Sequence, residues 1–287
     1  MRALLLASSF ACALICAGAA APQTGAIPNF APDALTGWIA GVPEGVSPTG
    51  QDFLPPESGP GPVTYDKAHP FIDDAAARRD NKQPTFRVAD LSNPILQPWT
   101  REALRKANER ALSGKPIVTP KERCWPIGVP GWLLYPVRPI YFLQTAKEVV
   151  MIWDEDHMAR HIYLGARHSP NPKPSWFGES VGHYENGDTL VVDTIGLNDK
   201  TFIDSYRTPH TTQLHVIERY RIVDGGKALD ASVHVEDPGA FAMPWNARQH
   251  YRRSTAASQT EQTCAENNAA WFGYNVDPIP QAVTPDF

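Results

Sequence analysis

Apolar and polar residues alternate in short runs through the second half of the chain, and this period of two is typical of half-buried β-strands. The runs cover residues 140–145, 149–153, 161–164, 181–184, 189–197, 213–223 and 229–236. Two of the connections are turn signals, Asn186-Gly187 and Asp224-Gly225-Gly226, and Asn-Gly accepts the positive φ of a tight hairpin. At least seven closely spaced strands without intervening helices predict an all-β fold, an antiparallel meander closing into a lipocalin-like barrel. A β-sandwich is the alternative.

A helical pattern covers residues 100–113, where Thr100 is a possible N-cap and Gly114 and Pro116 follow the end. Residues 22–98 are dense in Pro and Gly and show neither the helical period of about 3.6 residues nor the strand period of two. A short helix near residues 72–79 is the one exception considered. We therefore expect three parts: a signal peptide over residues 1–21, a Pro-rich arm over 22–98, and a helix plus β-barrel domain over 99–287. The arm is either wrapped over the barrel or disordered.

The first residues indicate export. Arg2 precedes an apolar run that is too short to span a bilayer, and small residues follow up to Ala21. This pattern predicts a cleaved signal peptide and a periplasmic or secreted protein. Two cysteines, Cys124 and Cys264, remain after cleavage, and an even pair in an oxidising compartment predicts a disulfide bond. Two buried free thiols are the alternative.

The overall charge limits the kinds of partner. The 287 residues carry 26 Lys and Arg against 31 Asp and Glu, which gives a formal net charge of −5. An acidic chain without a basic run is a poor match for nucleic acid, and no later segment is apolar enough to span a membrane. We therefore expect a small-molecule ligand or substrate, with no nucleic-acid partner and no membrane span.

Two carboxylates lie within predicted strands among apolar neighbours of the same face. Asp193 alternates with Val191 and Ile195, and Glu218 alternates with Val216 and Tyr220. A carboxylate on a core-facing row must be paired, or its pKa rises, and both situations occur in acid/base sites. A structural ion pair with Arg160, Arg219 or Arg221 is the alternative, and it is the commoner arrangement.

Histidine and aromatic residues supply the other candidate site residues. With Asp193 and Glu218, His183 and His215 form the predicted catalytic set. The predicted ligand-binding set consists of Tyr163, His168, Trp176, Tyr184 and His210. His157 and His161 are four residues apart, but strand patterns flank them, so neither a metal nor another cofactor is expected.

Ser180 lies in the sequence Gly178-Glu179-Ser180-Val181-Gly182, which fits the G-x-S-x-G pattern of serine hydrolases. That motif requires a helix after the serine, whereas a strand follows here. The glycines are therefore interpreted as allowing a bulge or a close approach of backbones.

Several long blocks, in this order, resemble a large family of exported and mostly uncharacterised ("hypothetical") bacterial proteins. They are residues 168–170 (HSP), 174–196 (PSWFGESVGHYENGDTLVVDTIG), 208–211 (TPHT), 214–219 (LHVIER) and 264–268 (CAENN). The resemblance covers about residues 120–287. It implies export and one shared domain, and it does not indicate which reaction, if any, the family catalyses. The family pattern has E-G-D-T-L where this chain has Glu185-Asn186-Gly187-Asp188, one residue more.

Two functions remain open at this stage. One is an exported enzyme that acts by acid/base chemistry on a small, partly apolar substrate, as a metal-independent lyase, isomerase or hydratase. The other is a non-catalytic periplasmic carrier of a small apolar or aromatic ligand. A third and weaker hypothesis is an envelope protein that binds partners through the Pro-rich arm.

Overall fold

The computed structural model shows nine strands in one closed barrel, with β1 paired to both β2 and β9. It describes residues 27–31, 37–40, 53–72, 80–81, 85–115, 119–120, 124–134, 139–153, 158–254 and 264. The strands are β1 (Gly37–Ala40), β2 (Ile140–Gln144), β3 (Glu148–Trp153), β4 (Ala159–Leu164), β5 (Glu179–Glu185), β6 (Thr189–Ile195), β7 (His215–Val223), β8 (Ala228–Glu236) and β9 (Trp245–Ser254). One α-helix of the described residues, α1, spans Pro98–Leu112. The predicted all-β, lipocalin-like barrel is confirmed.

Large side chains fill the barrel. Strand β3 alternates between buried and half-buried positions, which places Val149, Met151 and Trp153 inside. Four tryptophans, including Trp132 before β2, are at most 1% exposed. Small barrels commonly fill their interior in this way, so the candidate ligand site of this barrel lies elsewhere.

The predicted hairpin turns are present. Asn186 and Gly187 both have positive φ values, 52° and 74°, and the amide of Asp188 donates to the carbonyl of Glu185. Positive φ at both central residues matches the twist of the flanking strands β5 and β6. Asp224, Gly225 and Gly226 have positive φ values between β7 and β8.

The barrel departs from a simple meander at one junction. Strand β4 pairs with β5 in parallel, whereas every other neighbouring pair is antiparallel. The crossover segment 165–178 returns the chain to the end where β4 began. The parallel pairing covers three residue pairs, from Ile162–Ser180 to Leu164–Gly182, while β5–β6 covers seven. The weakest lateral contact between long strands is therefore the β4–β5 junction.

One strand of the barrel comes from the Pro-rich segment. Strand β1 lies within residues 22–98, and its Trp38 is fully buried and donates its ring N–H to the carbonyl of Phe30. Beyond β1 the edge of β9 is covered by the same segment, because Leu54 exchanges backbone bonds with Arg248, and Pro60 accepts from Asn246. Covering a free edge in this way prevents pairing with other chains.

The helix begins earlier than its sequence pattern predicts. Gln97 is the N-cap and Pro98 the first helical residue, so the predicted cap Thr100 lies inside the first turn. Thr100 is buried and donates its hydroxyl hydrogen to the carbonyl of Ala240, in the connection between β8 and β9. Proline is well suited to the first helical position because its missing N–H has no helical partner there.

The predicted disulfide bond is present between Cys124 and Cys264, whose Cα atoms are 5.5 Å apart. The predicted signal peptide lies outside the described residues. The short helix predicted near residues 72–79 does so too, except for residue 72. Within the described part of the chain, no helix combines the length and apolarity needed to cross a membrane.

Candidate functional site

A cleft of about 580 Å³ opens at the junction of β4 and β5. Because the two strands pair over three positions, residues 159–161 of β4 separate from the chain that leads into β5. Tyr163, which is half exposed, and Phe177 give the cleft aromatic surface, and Arg160 and Ser180 form its inner wall. The volume lies within the usual range for small-molecule sites.

The crossover segment forms the outer wall of this cleft through residues 169–173. Its far end is fixed by backbone bonds, since the amide of Ser175 donates to Gly196 and the amide of Asn198 donates to Ser175. Gly178, with a φ of 63°, turns the chain into β5. The near end of the wall, around His168 and Ser169, is held by side chains.

A fully buried ion pair lies behind the cleft. Arg160 of β4 and Glu218 of β7 are joined across the interior, and both side chains are 0% exposed. Arg160 also donates to Thr194 Oγ1 over 2.8 Å and to Ser180 Oγ over 3.2 Å. Tyr220 donates its hydroxyl hydrogen to the second carboxylate oxygen of Glu218 over 2.8 Å. The carboxylate therefore has partners on both oxygens.

This arrangement defines what Glu218 can do chemically. A guanidinium stays protonated in proteins, so the negative charge of Glu218 is balanced in place. Burial and the charge of Glu218 raise the pKa of Tyr220 well above its ordinary value, so the phenol remains a donor. The core-facing position predicted for Glu218 is confirmed, and Arg160 holds the carboxylate in a structural pair.

One polar atom of the cluster lacks a partner among the described residues. Arg160 Nη1 is buried and makes no hydrogen bond there, although Nη2 and Nε make three contacts between them. A buried donor without an acceptor costs free energy, and such atoms are commonly satisfied by water or a ligand. Arg160 thus combines an uncommitted donor with a place on the wall of the cleft.

A row of alternating imidazoles and carboxylates crosses the outer surface beside the cleft; we call it the histidine row. His168 contacts Glu179 through Nδ1 (3.2 Å) and Asp193 through Nε2 (2.8 Å). Asp193 also faces His215 Nε2 over 3.1 Å. The row then continues across the neighbouring strands through Glu236, His234 and Asn246.

Asp193 lies on the outer surface, so its predicted core-facing position is wrong. Its side chain is 36% exposed, whereas Val192 and Thr194 face the interior and are fully buried. Both faces of β6 carry apolar residues, so alternation alone does not identify the inner face. The cross-strand pairing of Val192 with Glu218 does so.

The structure brings together some of the other predicted site residues. His168 and His215 meet at Asp193, and Tyr163 lines the cleft. The remaining four lie apart from these groups. His183 is exposed beside Glu185, Trp176 packs on Trp125, Tyr184 lies in the barrel and accepts from Gln144, and His210 is buried between Thr201 and Thr211.

Sequence reasoning overlooked several residues of the cleft. The cleft is lined by Ser169, Lys173 and Glu179. None of the three stands in an alternating apolar pattern that would mark it as a site residue. Arg160 was a candidate partner for Glu218 but not a cleft residue. A signal for it existed, because extending the β4 pattern back from Ile162 by two residues places Arg160 on the inner face.

No group of three or more His, Cys, Asp or Glu side chains suited to a metal ion occurs among the described residues. His157, one of the two histidines four residues apart, lies outside them. His161 is exposed and faces Glu148.

Ser180 is not placed as a hydrolase nucleophile. It is buried, accepts from Arg160 and shares a hydrogen bond of 3.0 Å with Thr194. The glycines around it permit close packing, as a Cβ on Gly182 would lie 2.7 Å from the side chain of Ile162. The interpretation of this motif as a close backbone approach fits these contacts.

No protein-family model, curated protein or solved structure matches the chain. The functional proposals below therefore rest on the geometry of the cleft and the barrel.

Proposed function

We propose that this is an exported protein that binds a small molecule in the cleft between β4 and β5. The disulfide between Cys124 and Cys264 supports an oxidising compartment. The cleft volume of about 580 Å³ and its aromatic rim support a ligand of modest size. The filled barrel interior directs the ligand to this junction rather than to the barrel axis.

The chemistry of the cleft favours a ligand with an apolar or aromatic body and one carboxylate. Tyr163 and Phe177 offer ring surface, and Lys173 is an exposed cation on the outer wall. The observation that carries the proposal is Arg160 Nη1, a buried donor without a partner among the described residues. A carboxylate oxygen entering between the strands is a charge-assisted acceptor for such a donor.

Matched aromatic probes test this proposal. Saturation-transfer NMR with phenylacetate and the neutral 2-phenylethanol compares a carboxylate with an uncharged ligand of similar size. We expect binding of phenylacetate and weaker or no binding of 2-phenylethanol. Tyr163→Ala is expected to weaken phenylacetate binding roughly tenfold, since an aromatic contact and its buried area contribute on the order of 1.4 kcal/mol.

Leu112→Ala is the control for Tyr163→Ala, because Leu112 is also exposed and lies at the end of α1. Equal loss of binding in both variants, or equal binding of both probes, contradicts the proposal. Native mass spectrometry of protein purified from its own host complements this test by identifying any retained ligand.

An enzyme is the second candidate, because polar groups meet at the rim of the same cleft. Glu179 accepts from both the amide and the hydroxyl of Ser169 and contacts His168, which in turn contacts Asp193. A carboxylate and an imidazole in contact are suited to proton transfer in a lyase, isomerase or hydratase. In this proposal Glu179 and His168 replace Glu218 as the acid/base pair.

The enzyme candidate makes a separate prediction. Ligands extracted from the native protein are incubated with wild type and with Glu179→Gln, and the products are followed by mass spectrometry. Conversion of the ligand, including gain or loss of water, by wild type alone supports catalysis. If the ligand is unchanged in both samples, the enzyme hypothesis is contradicted and the binding-protein proposal stands.

A further inference from the structure

The near end of the cleft wall is attached to the barrel through Ser169, whose amide and hydroxyl donate to Glu179, and through the side chain of His168. This residue lies in the crossover segment, next to Ser169, which lines the cleft. Its two ring nitrogens face carboxylates from two different strands, Glu179 on β5 and Asp193 on β6. The imidazole supplies the contact with β6, so how firmly the wall is held to both strands depends on its hydrogen-bonding capacity.

A neutral imidazole has one donor nitrogen and one acceptor nitrogen, whereas both nitrogens donate in the protonated ring. Ionised carboxylates accept hydrogen bonds but do not donate them. Both contacts of His168 are therefore satisfied together in the protonated ring, and deprotonation removes one of them. Histidines generally change charge between pH 5 and 8.

We propose that His168 is a pH-dependent clasp that holds the outer wall of the cleft when protonated and loosens it when neutral. This inference rests on the proposed ligand site in the same cleft. His168 is a positioning residue, since it acts through the wall formed by residues 169–173.

Strands β5 to β8 supply the titratable groups around His168. The charged groups that face it are Glu179 from β5, Asp193 from β6 and, across Asp193, His215 from β7. Glu236 and His234 of β8 extend the row beyond His215. Asp193 faces two imidazoles and so does Glu236, so each loss of a proton along the row leaves a carboxylate with fewer donors.

The carboxylate side of the clasp persists at moderately acidic pH. Hydrogen bonds from the hydroxyl and amide of Ser169, with the contact of His168, hold the pKa of Glu179 below its ordinary value of 4.5. The clasp is therefore complete at pH values below the deprotonation of His168 and above the protonation of Glu179. It opens as the pH rises, which couples ligand release to alkaline conditions.

Hydrogen exchange by mass spectrometry measures the wall without any ligand. The full-length mature protein is compared from pH 5.5 to 8.5, after correction for the intrinsic pH dependence of exchange. In wild type, we expect exchange in residues 166–174 to rise about threefold to tenfold over this range. The factor corresponds to one charge-assisted hydrogen bond weakened by partial exposure of its partners.

Two histidine variants provide the comparison. His168→Gln should show the faster exchange already at pH 5.5 and a flat profile, because its amide does not gain a charge. His69→Gln is the control, since His69 forms an exposed imidazole–carboxylate pair with Asp66, 2.7 Å apart. That variant should keep the wild-type profile over residues 166–174.

The same samples separate the clasp from the ligand site. Exchange that is flat in wild type, or unchanged in His168→Gln, overturns the clasp whether or not phenylacetate binds. A pH-dependent wall together with no binding of phenylacetate at any pH supports the clasp and contradicts the proposed ligand. Phenylacetate that binds equally at pH 5.5 and 8.5, despite a loosened wall, overturns the coupling to ligand release.

Discussion

Arg160 and Glu218 face each other across the inside of the barrel, from strands β4 and β7, and neither side chain reaches solvent. Arg160 also donates to Thr194 and Ser180, and Tyr220 donates to Glu218. Taking two charges out of water is expensive, and the interaction offsets that cost only if both partners stay in place. Removing one member of the pair should therefore destabilise the barrel more than replacing both members with apolar residues.

Glu218→Gln is expected to lower the free energy of unfolding by about 3–5 kcal/mol, because it leaves Arg160 buried without a counter-charge. The double variant Arg160→Met/Glu218→Leu should cost less than the single change, since it removes both charges. Chemical denaturation of the three proteins measures the difference.

Asp193→Asn is the matched control on the outer surface. Its carboxylate is partly exposed, and exposed ion pairs contribute about 0–1 kcal/mol. A loss for Asp193→Asn as large as that for Glu218→Gln would contradict this assignment. A stable Glu218→Gln with weaker ligand binding would make Glu218 a functional carboxylate rather than a structural one.

The strand pattern predicts β2 to β8 from short β-rich runs, and burial alternates along β3, β4, β5, β7 and most of β8. In β2 and β6 three consecutive residues are buried. Strand β9 has a weaker signal: it places Arg248, His250 and Arg252 outside, and its inner positions include Ala247 and Gln249. Strand β1 has four residues in a Pro-rich segment. Both became visible only through their pairing with distant strands, which local periodicity does not contain.

The candidate site follows the same division. Glu218 was predictable because apolar neighbours on its own face mark the inside of β7. The histidine row was not, since it joins residues of several strands through their outer side chains. The cleft depends on the parallel pairing of β4 with β5. Two strand-like runs joined by a loop give the same sequence pattern whether the strands pair in parallel or as a long-looped antiparallel hairpin.

The disulfide provides a second test of stability. Cys124 and Cys264 are 140 residues apart, and in the chain-entropy model a closed loop of this length contributes about 5 kcal/mol. Cys124→Ser/Cys264→Ser should lose a stability of this order, and peptide mapping without reduction should recover the linked pair from wild type. Denaturation with and without reductant measures the effect, with the double variant as the control. Two free thiols in protein isolated from the envelope would contradict the bond.

His210 predicts a stability that depends on pH. Burial lowers the pKa of His210 from its ordinary value of 6.5. Its Nδ1 faces the carbonyl of Thr211 and its Nε2 faces the hydroxyl of Thr201, so the neutral ring satisfies both contacts. Below pH 6.5 the unfolded chain gains a proton that the folded protein does not bind. The free energy of unfolding should therefore fall as the pH drops from 6.5 toward the folded pKa.

His210→Asn removes this titration, and its stability should change less between pH 7 and 5.5 than that of wild type. Denaturation at a series of pH values gives the two slopes. His183→Asn serves as the comparison because His183 is exposed. Parallel slopes for wild type and His210→Asn would show that His210 does not titrate abnormally.

A side chain at Gly178, at the entry to β5, is expected to cost more stability than one at Gly165. Its φ is +63°, and a Cβ there would overlap the carbonyl oxygen of Ile195 and lie 3.1 Å from Thr194. Gly165, at the other end of the crossover segment, has a similar φ of +68° but no atom within 4 Å of such a Cβ. Gly165→Ala should therefore cost about 1–2 kcal/mol from backbone conformation alone. Gly178→Ala should cost about 1–3 kcal/mol more because of the clash, which thermal and chemical denaturation measure. Equal losses in the two variants would mean that the backbone at Gly178 moves away from β6 at little cost, and that the inner wall of the cleft is not rigid.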